Sequence, residues 1–275
     1  MKSYLNRDRP IQTLSRPSTI GGINRLPPSE KRDIYTRIIP PQLLERFSIQ
    51  LDGSGEQGDF ELVLNAPDGS SSAEMSLYHK KGFPDPVLYG HITDTLSGQI
   101  HILLYILNDP ESPRFPVDRM PDGSPTRFGI LQRNIQAEIE AMEYGLSPGQ
   151  VRRGLRMLGE AIQSFESFVS HLGHDIYFVE PLYYHNAVIF EKYGFAYTKG
   201  RRLMERIQAG FSPGGDLLAA LDGSTPFRSP KAANSIRLRS WAIHDGILGE
   251  PFTGVTMHKQ IGKSAGIQTC TGCDW

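Results

Sequence analysis

Cysteine is nearly absent: the 275 residues hold two, Cys270 and Cys273, both in the final stretch CTGCDW. Thiols so few and so placed do not support a disulfide-stapled secreted scaffold, and a reducing cytoplasm is the expected compartment. No apolar run approaches the roughly 20 residues of a membrane helix. The opening MKSYLNRDRPIQTLSRPSTIGG has no apolar stretch of signal-peptide type, so neither membrane nor export is expected. Charge of one sign is not in excess, with 29 Lys and Arg against 30 Asp and Glu. That balance argues against a protein that holds nucleic acid by bulk charge. Internal repeats and low-complexity tracts are missing too. What remains, 39% hydrophobic and 21% charged residues, is the composition of a chain with a sizeable core.

Residues 1–30 are rich in Arg, Pro, Ser and Gly without periodicity and read as an extended arm. KRDIYTRIIPPQLLERF (31–47) adds a short helical turn broken by Pro40-Pro41, with proline again at a helix start. Five strand-like segments follow: 47–52, 59–66, 74–80, 86–95 and 99–109. They are separated by turn chemistry at Asp52-Gly53, Asp68-Gly69, Gly82 and Ser97-Gly98, and the close spacing predicts an antiparallel meander. ILLYIL in the last segment is apolar on both faces and predicts a central strand. A proline-rich loop spans 110–125, of a length that is often functional. A helix is expected over about 129–145, with Leu131, Ile135, Ile139 and Met142 on one face. A longer one is expected from Ser147-Pro148 onward, because Val151, Leu155, Leu158, Ile162, Phe165, Val169 and Leu172 alternate spacings of four and three up to Gly173. A strand DIYFVEP (175–181), a short helix, a strand FAYTKGR, an insertion and a last strand GVTMHKQIG (254–262) complete the pattern.

The short helix reads NAVIFEKYGF (186–195). A meander ending in a central strand, an amphipathic helix, a strand, and a helix closing on Glu-Lys-Tyr-Gly-Phe resembles the GCN5-related N-acetyltransferase (GNAT) superfamily, with its Y-E-K-x-G-F signature. The resemblance covers about residues 47–207 and 250–262. It implies an α+β fold on a largely antiparallel, splayed central sheet flanked by helices. The expected organisation is an arm with a short helix (1–46), the core (47–207), an insertion (208–245), the last core strand (246–262) and a tail (263–275).

The resemblance also implies a co-substrate, acetyl-CoA or another acyl-CoA. Its pantetheine would lie as an added strand beside the central strand His101–Asp109, against Leu104, Tyr105 and Ile106. Its pyrophosphate would sit at the start of the helix Val151–Leu172. The family's phosphate loop has the form Q/R-x-x-G-x-G/A. In GQVRRGLRMLGEA (149–161), Gly154 takes the first glycine position, beside Leu155, and Arg156 occupies the place of the second small residue. Arg152, Arg153 and Arg156 then either neutralise phosphates by side-chain contact or form a solvated helix face. The signature's tyrosine, which in many family members protonates the leaving thiolate, is Phe190 here. Tyr193 and Tyr183 are the substitutes to weigh, with Tyr184 beside them, against the simpler role of core or rim aromatics. Asn186 either caps the helix or meets the ligand. Glu180 and His185, at the end of the strand before the helix, are the candidate bases for the acceptor amine, with His91 and His101 as alternates.

One Cys-x-x-Cys supplies half of a tetrahedral site, and His244 and His258 would have to complete it at spacings that match no standard finger. No firm metal is expected, and the tail reads as structurally incidental. The expected function is acyl-CoA-dependent transfer to a small-molecule or peptide amine, with no nucleic-acid or membrane partner. Two rivals stand beside it. One is a catalytically degenerate binding or assembly module, whose arm and tail would wrap a second copy in a homodimer. The other is transfer from an acyl carrier protein.

Overall fold

The computed structural model describes residues 17–51, 58–126, 129 and 132–275; the first part of the expected arm, the Asp52-Gly53 turn and Leu131 fall outside these. The chain forms a mixed α+β structure on a seven-stranded, mostly antiparallel open sheet flanked by helices. Strands β1 (Glu61–Asn65), β2 (Ser72–Tyr78), β3 (Leu88–Asp94) and β4 (Ile100–Leu107) form the expected meander. Strands β5 (Ile176–Val179), β6 (Ala196–Lys199) and β7 (Thr256–Gln260) complete the order β1-β2-β3-β4-β5-β7-β6, with β4 in the middle. Only the β4–β5 pair is parallel. Phe47–Leu51, expected to begin the meander, forms no strand.

Alternation decides which face is buried. Ala73, Met75 and Leu77 of β2 and Leu88, Gly90 and Ile92 of β3 are buried, while their neighbours are half-exposed. On β4, Ile100 and Ile102 share that face until a bulge at Leu103 shifts the register between His91 and Ile92. The extra residue changes the parity, so that Tyr105 now stands opposite Gly90 on the buried side. Gly90 leaves the space for it: a Cβ there would lie 3.4 Å from Ile38 Cδ1 and 3.7 Å from Tyr105 Cδ2.

The N-terminal segment is not an arm from residue 19 on. It folds into α1 (Ile20–Ile23), α2 (Pro28–Tyr35), a 3₁₀ turn (Thr36–Ile38) and α3 (Pro41–Arg46), and buries Ile20, Ile23, Tyr35, Ile38 and Leu43. Short Pro- and Gly-rich helices show no periodicity, and tertiary bonds hold these. Asp94 accepts from the N–H groups of Ile20 (2.7 Å) and Gly21 (2.9 Å) at the positive end of α1. The fully buried Asn24 donates to the carbonyls of Ser70 (2.6 Å) and Ser72 (3.0 Å) and accepts from the Tyr35 hydroxyl (2.5 Å).

Helix α4 (Ile135–Tyr144) is capped by the Asn134 side chain, and α5 (Leu158–His171) packs on the buried face, with Phe165 edge-on to Tyr105 at 5.1 Å. Helix α6 (Tyr184–Lys192) ends on the Glu-Lys-Tyr-Gly-Phe motif. Helices α7 (Arg201–Phe211), α8 (Asp216–Ala219) and α9 (Ile236–His244) follow. The 110–126 loop, α4 and α9 bury a second apolar cluster around Val117, Ala141, Met142, Phe227 and Trp241. The tail is part of the fold as well. Glu191 of the motif is buried and accepts from the Thr269 N–H (2.8 Å) and hydroxyl (2.6 Å), and the Arg239 guanidinium lies 3.6 Å from Cys270 Sγ. Among the described residues no helix is long and apolar enough to cross a membrane.

Asn24→Ala leaves the carbonyls of Ser70 and Ser72 and the Tyr35 hydroxyl without their partners. A loss of about 2–3 kcal/mol is expected, measured as a shift of the urea midpoint with an unchanged slope.

Candidate functional site

β4 and β5 are hydrogen-bonded neighbours over a short stretch only. His101 faces Phe178, Ile102 faces Val179, and the Glu180 N–H reaches the Ile102 carbonyl at 3.4 Å. Beyond that point β5 ends, while β4 runs on through Leu107 paired with β3 alone. A cavity of about 630 Å³ opens there. Ile102–Asn108 form one wall, Val179–Tyr183 the other, and Leu158, Ala161, Ile162 and Phe165 of α5 also line it. The expected ligand-facing residues Leu104, Tyr105 and Ile106 all line this space.

The helix beneath it begins seven residues later than its apolar spacing suggests, at Leu158 rather than Val151. The intervening backbone bonds elsewhere: Asp109 N–H donates to Arg153 O (2.8 Å), Phe115 N–H donates to Val151 O (2.8 Å), and Gly154 bridges to Asn108. Arg152 is drawn under the loop. Its Nε donates to Asp85 (2.8 Å) and its Nη1 to Ser112 O (2.5 Å), and Asp85 also accepts from Arg114 Nε at 3.0 Å. Arg152 is therefore committed to the fold. Arg153 lies over the Tyr144 ring (5.1 Å), Leu155 is a core residue, and Arg156 is exposed with φ of +60°. The first-turn N–H groups of Leu158, Gly159 and Glu160 have no acceptor within the helix, and no side chain caps them.

With the helix start moved, the phosphate-loop form is found five residues downstream. Arg156-Met157-Leu158-Gly159-Glu160-Ala161 satisfies Q/R-x-x-G-x-G/A at every position. Gly159 stands in the first turn of α5.

The other expected residues divide. Glu180 is exposed at the end of β5 and lines the cavity. His185 is buried and hydrogen-bonded through Nδ1 to Ser240 (2.8 Å), and burial, with the charge of His244, lowers its pKa to about 3. Tyr183 lines the cavity, stacked on His185 and edge-on to His244, and its hydroxyl is pushed well above the usual range by burial and by Glu138. Gly149, at φ of +79°, leaves it room, since a Cβ there would fall 2.5 Å from the ring. Tyr193 closes α6 on the surface, beside Gly159, and is not among the residues that line the cavity, whereas Phe190 is. Asn186 caps α6 by accepting from the Tyr183 N–H (3.2 Å) and also lines the cavity. His91 lines it while bonded to Ser72 Oγ (2.9 Å). His101, its pKa lowered by burial, packs edge-on to Phe178 away from the lining.

The metal set does not assemble. His258 pairs with Thr198 (2.8 Å), His244 with Glu138 and Cys270 with Arg239, and no group of three or more His, Cys, Asp or Glu is arranged to hold an ion among the described residues.

Two features escaped the sequence. Tyr177, 1% exposed, lines the cavity, and its buried hydroxyl has no hydrogen-bond partner among the described residues. The second is Glu138, 3% exposed, which accepts from Arg133 Nη2 (2.5 Å) and lies 3.1 Å from His244 Nε2. Burial alone would raise its carboxyl; hydrogen bonds from His244 and Arg133 more than reverse this and leave it below the ordinary value. The buried face of α4 is Ala137, Glu138, Ala141 and Met142, whereas Ile135, expected inside, is 44% exposed. A charged residue in that face is invisible to an apolar-stripe rule, and its partner is 106 positions away.

No family model, curated protein or solved structure matches the chain.

His185 dictates a pH dependence. An unfolded histidine takes up a proton as pH falls below about 6.5, while His185 in the fold stays neutral down to about 3. The unfolded state then binds more protons, so stability present above 6.5 is lost progressively as pH falls toward 3. Denaturant titrations at pH 7, 6, 5 and 4 should show this decline, and His185→Gln should flatten it.

Proposed function

We propose that the chain is an acyl-CoA-dependent N-acyltransferase of the GNAT type. The observation that carries the reading is the parting of β4 from its parallel neighbour over the 630 Å³ cavity. A strand has two hydrogen-bonding edges. Past Ile102, β4 gives one of them to β3, and the edge toward β5 meets no strand over Leu103–Leu107, about 17 Å at 3.4 Å per residue. That suits an extended chain bearing amides, which is what pantetheine is. At the far end the Arg156–Ala161 motif opens α5, where unbonded N–H groups and the helix dipole favour a pyrophosphate.

In this reading the thioester lies where the strands begin to part. Backbone N–H groups of the β4 edge polarise its carbonyl for attack by an acceptor amine. The departing sulfur needs a hydrogen bond. Phe190 has none to give, but the Tyr177 ring packs on Phe195 at 5.7 Å and Phe195 on Phe190 at 4.9 Å, so an unpartnered hydroxyl stands one ring away from the vacant role. Burial and Glu166 raise its pKa, which keeps the proton on oxygen and available for donation.

A second reading, a module that binds acyl-CoA without turning it over, is favoured by Phe190 and by Tyr193 standing outside the cavity. Binding and turnover separate the two. Acetyl-CoA, longer acyl-CoAs and free CoA are each expected to raise the melting temperature, and a ligand at a hundredfold excess over Kd adds about 2.7 kcal/mol. Arg156→Glu should weaken that binding at least tenfold; no shift with any of these ligands at millimolar concentration removes the donor site and the proposal with it. A further expectation concerns Tyr177→Phe. Deleting an unpartnered buried hydroxyl should stabilise the fold by about 1 kcal/mol while slowing thiol release with CoA binding intact. Binding without thiol release from any amine would establish the second reading.

A further inference from the structure

A second cavity, of about 590 Å³, adjoins the first, and the two share Gly129, Glu180–Tyr183 and His244. The second is walled by Ser240 and Ile243 of α9 and by the 246–255 segment, with Tyr183, Tyr184, Phe252, Glu180 and Glu250 in its lining. Among the described residues that line it there is no Lys or Arg. Among the described residues this shared wall is where the two cavities adjoin, and a histidine backed by a buried carboxylate stands in it.

Resting on the acyl-transfer reading, we propose that the second cavity seats the acceptor amine, that His244 is the base that takes its proton, and that Glu138 positions His244. The acceptor so defined has an apolar or aromatic body and no anionic group. With Nε2–H directed at Glu138 Oε1 (3.1 Å), Nδ1 is the basic nitrogen of the neutral ring. Gly129 stands against the ring, where a Cβ would lie 2.7 Å from His244 Cε1. The charged and titratable groups around His244 are Glu138 from α4, Arg133 just before it, Tyr183 and His185 from α6, and Asp245 next in sequence, itself held by Arg133 (3.0 Å) and Arg228 (3.2 Å). The other candidate bases are less suited to the task. His185 is a weak proton acceptor, and exposed Glu180 belongs to the lining that receives the ammonium.

The chemistry balances. The ammonium yields one proton to His244 Nδ1, and the freed lone pair forms the C–N bond at the thioester carbonyl. The C–S bond then breaks, the second nitrogen proton passes to the sulfur, and the products are an amide, a thiol and the proton that His244 returns to water. The acceptor's character follows from the lining. Carboxylates and aromatic faces favour a cation, whereas an anionic substituent would meet Glu180 and Glu250 with no cation among the described lining residues to answer it.

The test uses acetyl-CoA with phenethylamine and tryptamine, and with phenylalanine and tryptophan, which add a carboxylate to the same bodies. Thiol release is expected to be at least tenfold faster for the first pair. His244→Ala should lower kcat at least 100-fold with KM for acetyl-CoA within twofold, and millimolar imidazole should restore part of the rate. Glu138→Gln should lower kcat about tenfold at unchanged acetyl-CoA affinity; where that variant fails to fold, the His244 series with imidazole stands as the test. Full kcat in His244→Ala, or no response to imidazole, overturns the base assignment although acyl transfer stands. Equal rates for the carboxylated amines, or none for any amine by a protein that binds acetyl-CoA, overturn the acceptor class. Absence of acetyl-CoA binding by the wild-type chain brings down the acyl-transfer reading itself.

Discussion

The cleft depends on a buried carboxylate. Asp85, 7% exposed in the turn before β3, receives Arg114 from the long loop and Arg152 from the segment ahead of α5. Three charges taken out of water are costly unless they meet in close, hydrogen-bonded geometry, and here they do, at 2.8–3.0 Å. The consequence is positional. With Arg152 tied down and Gly154 bridged to Asn108, residues 151–157 cannot wind into the helix that their apolar spacing invites. α5 therefore begins two turns later, with Leu158, Ala161 and Ile162 lining the gap between the strands. The bulge at Leu103 acts in the same region, bending β4 where β5 stops following it.

This arrangement separates what could be read in the sequence from what could not. Strands β2, β3 and β7 were legible because one face of each is buried and the other is less so, which period-two alternation records. Strand β4 was legible because its run is apolar on both faces, as befits the middle of the sheet. Helix α6 was legible because its terminal motif is local. The start of α5 was illegible for the opposite reason: the interaction that delays it joins Arg152 to a carboxylate 67 residues earlier, and nothing in the local spacing carries that information. α1 and the start of α2 lie in the Gly-, Pro- and Ser-rich stretch read as an arm, whereas the helix at Pro41 was expected. α1 is held by Asp94 of β3, and Asn24 after it bonds to Ser70 and Ser72. Glu138 and His244 each sit in an ordinary helix, and only the tertiary fold makes them a pair.

The Glu-Lys-Tyr-Gly-Phe motif takes on a different meaning in three dimensions. Its glutamate is a structural anchor, buried and bonded to Thr269 of the tail and to the Tyr197 hydroxyl. Its phenylalanine, Phe195, is the hub on which Phe190, Tyr177 and Lys259 converge. Both roles concern fold rather than chemistry. Phe190, just ahead of the motif, packs on the Phe195 ring at 4.9 Å and so belongs to this aromatic cluster.

The two cavities differ in what builds them, and that difference bears on how such a protein would acquire its substrate. The first is made by the sheet and α5, elements packed into the main core, so its shape is set by the same contacts that set the fold. The second is built by α9 and the 246–255 segment, with α9 joined to the main core through Ile236, Ala242 and Ile243 and to the smaller apolar cluster through Trp241. The wall between them carries His244 on α9 and Glu180 on β5, one from each construction. In the proposed reaction the proton is handled where the two cavities meet, at a wall to which the sheet side and α9 both contribute.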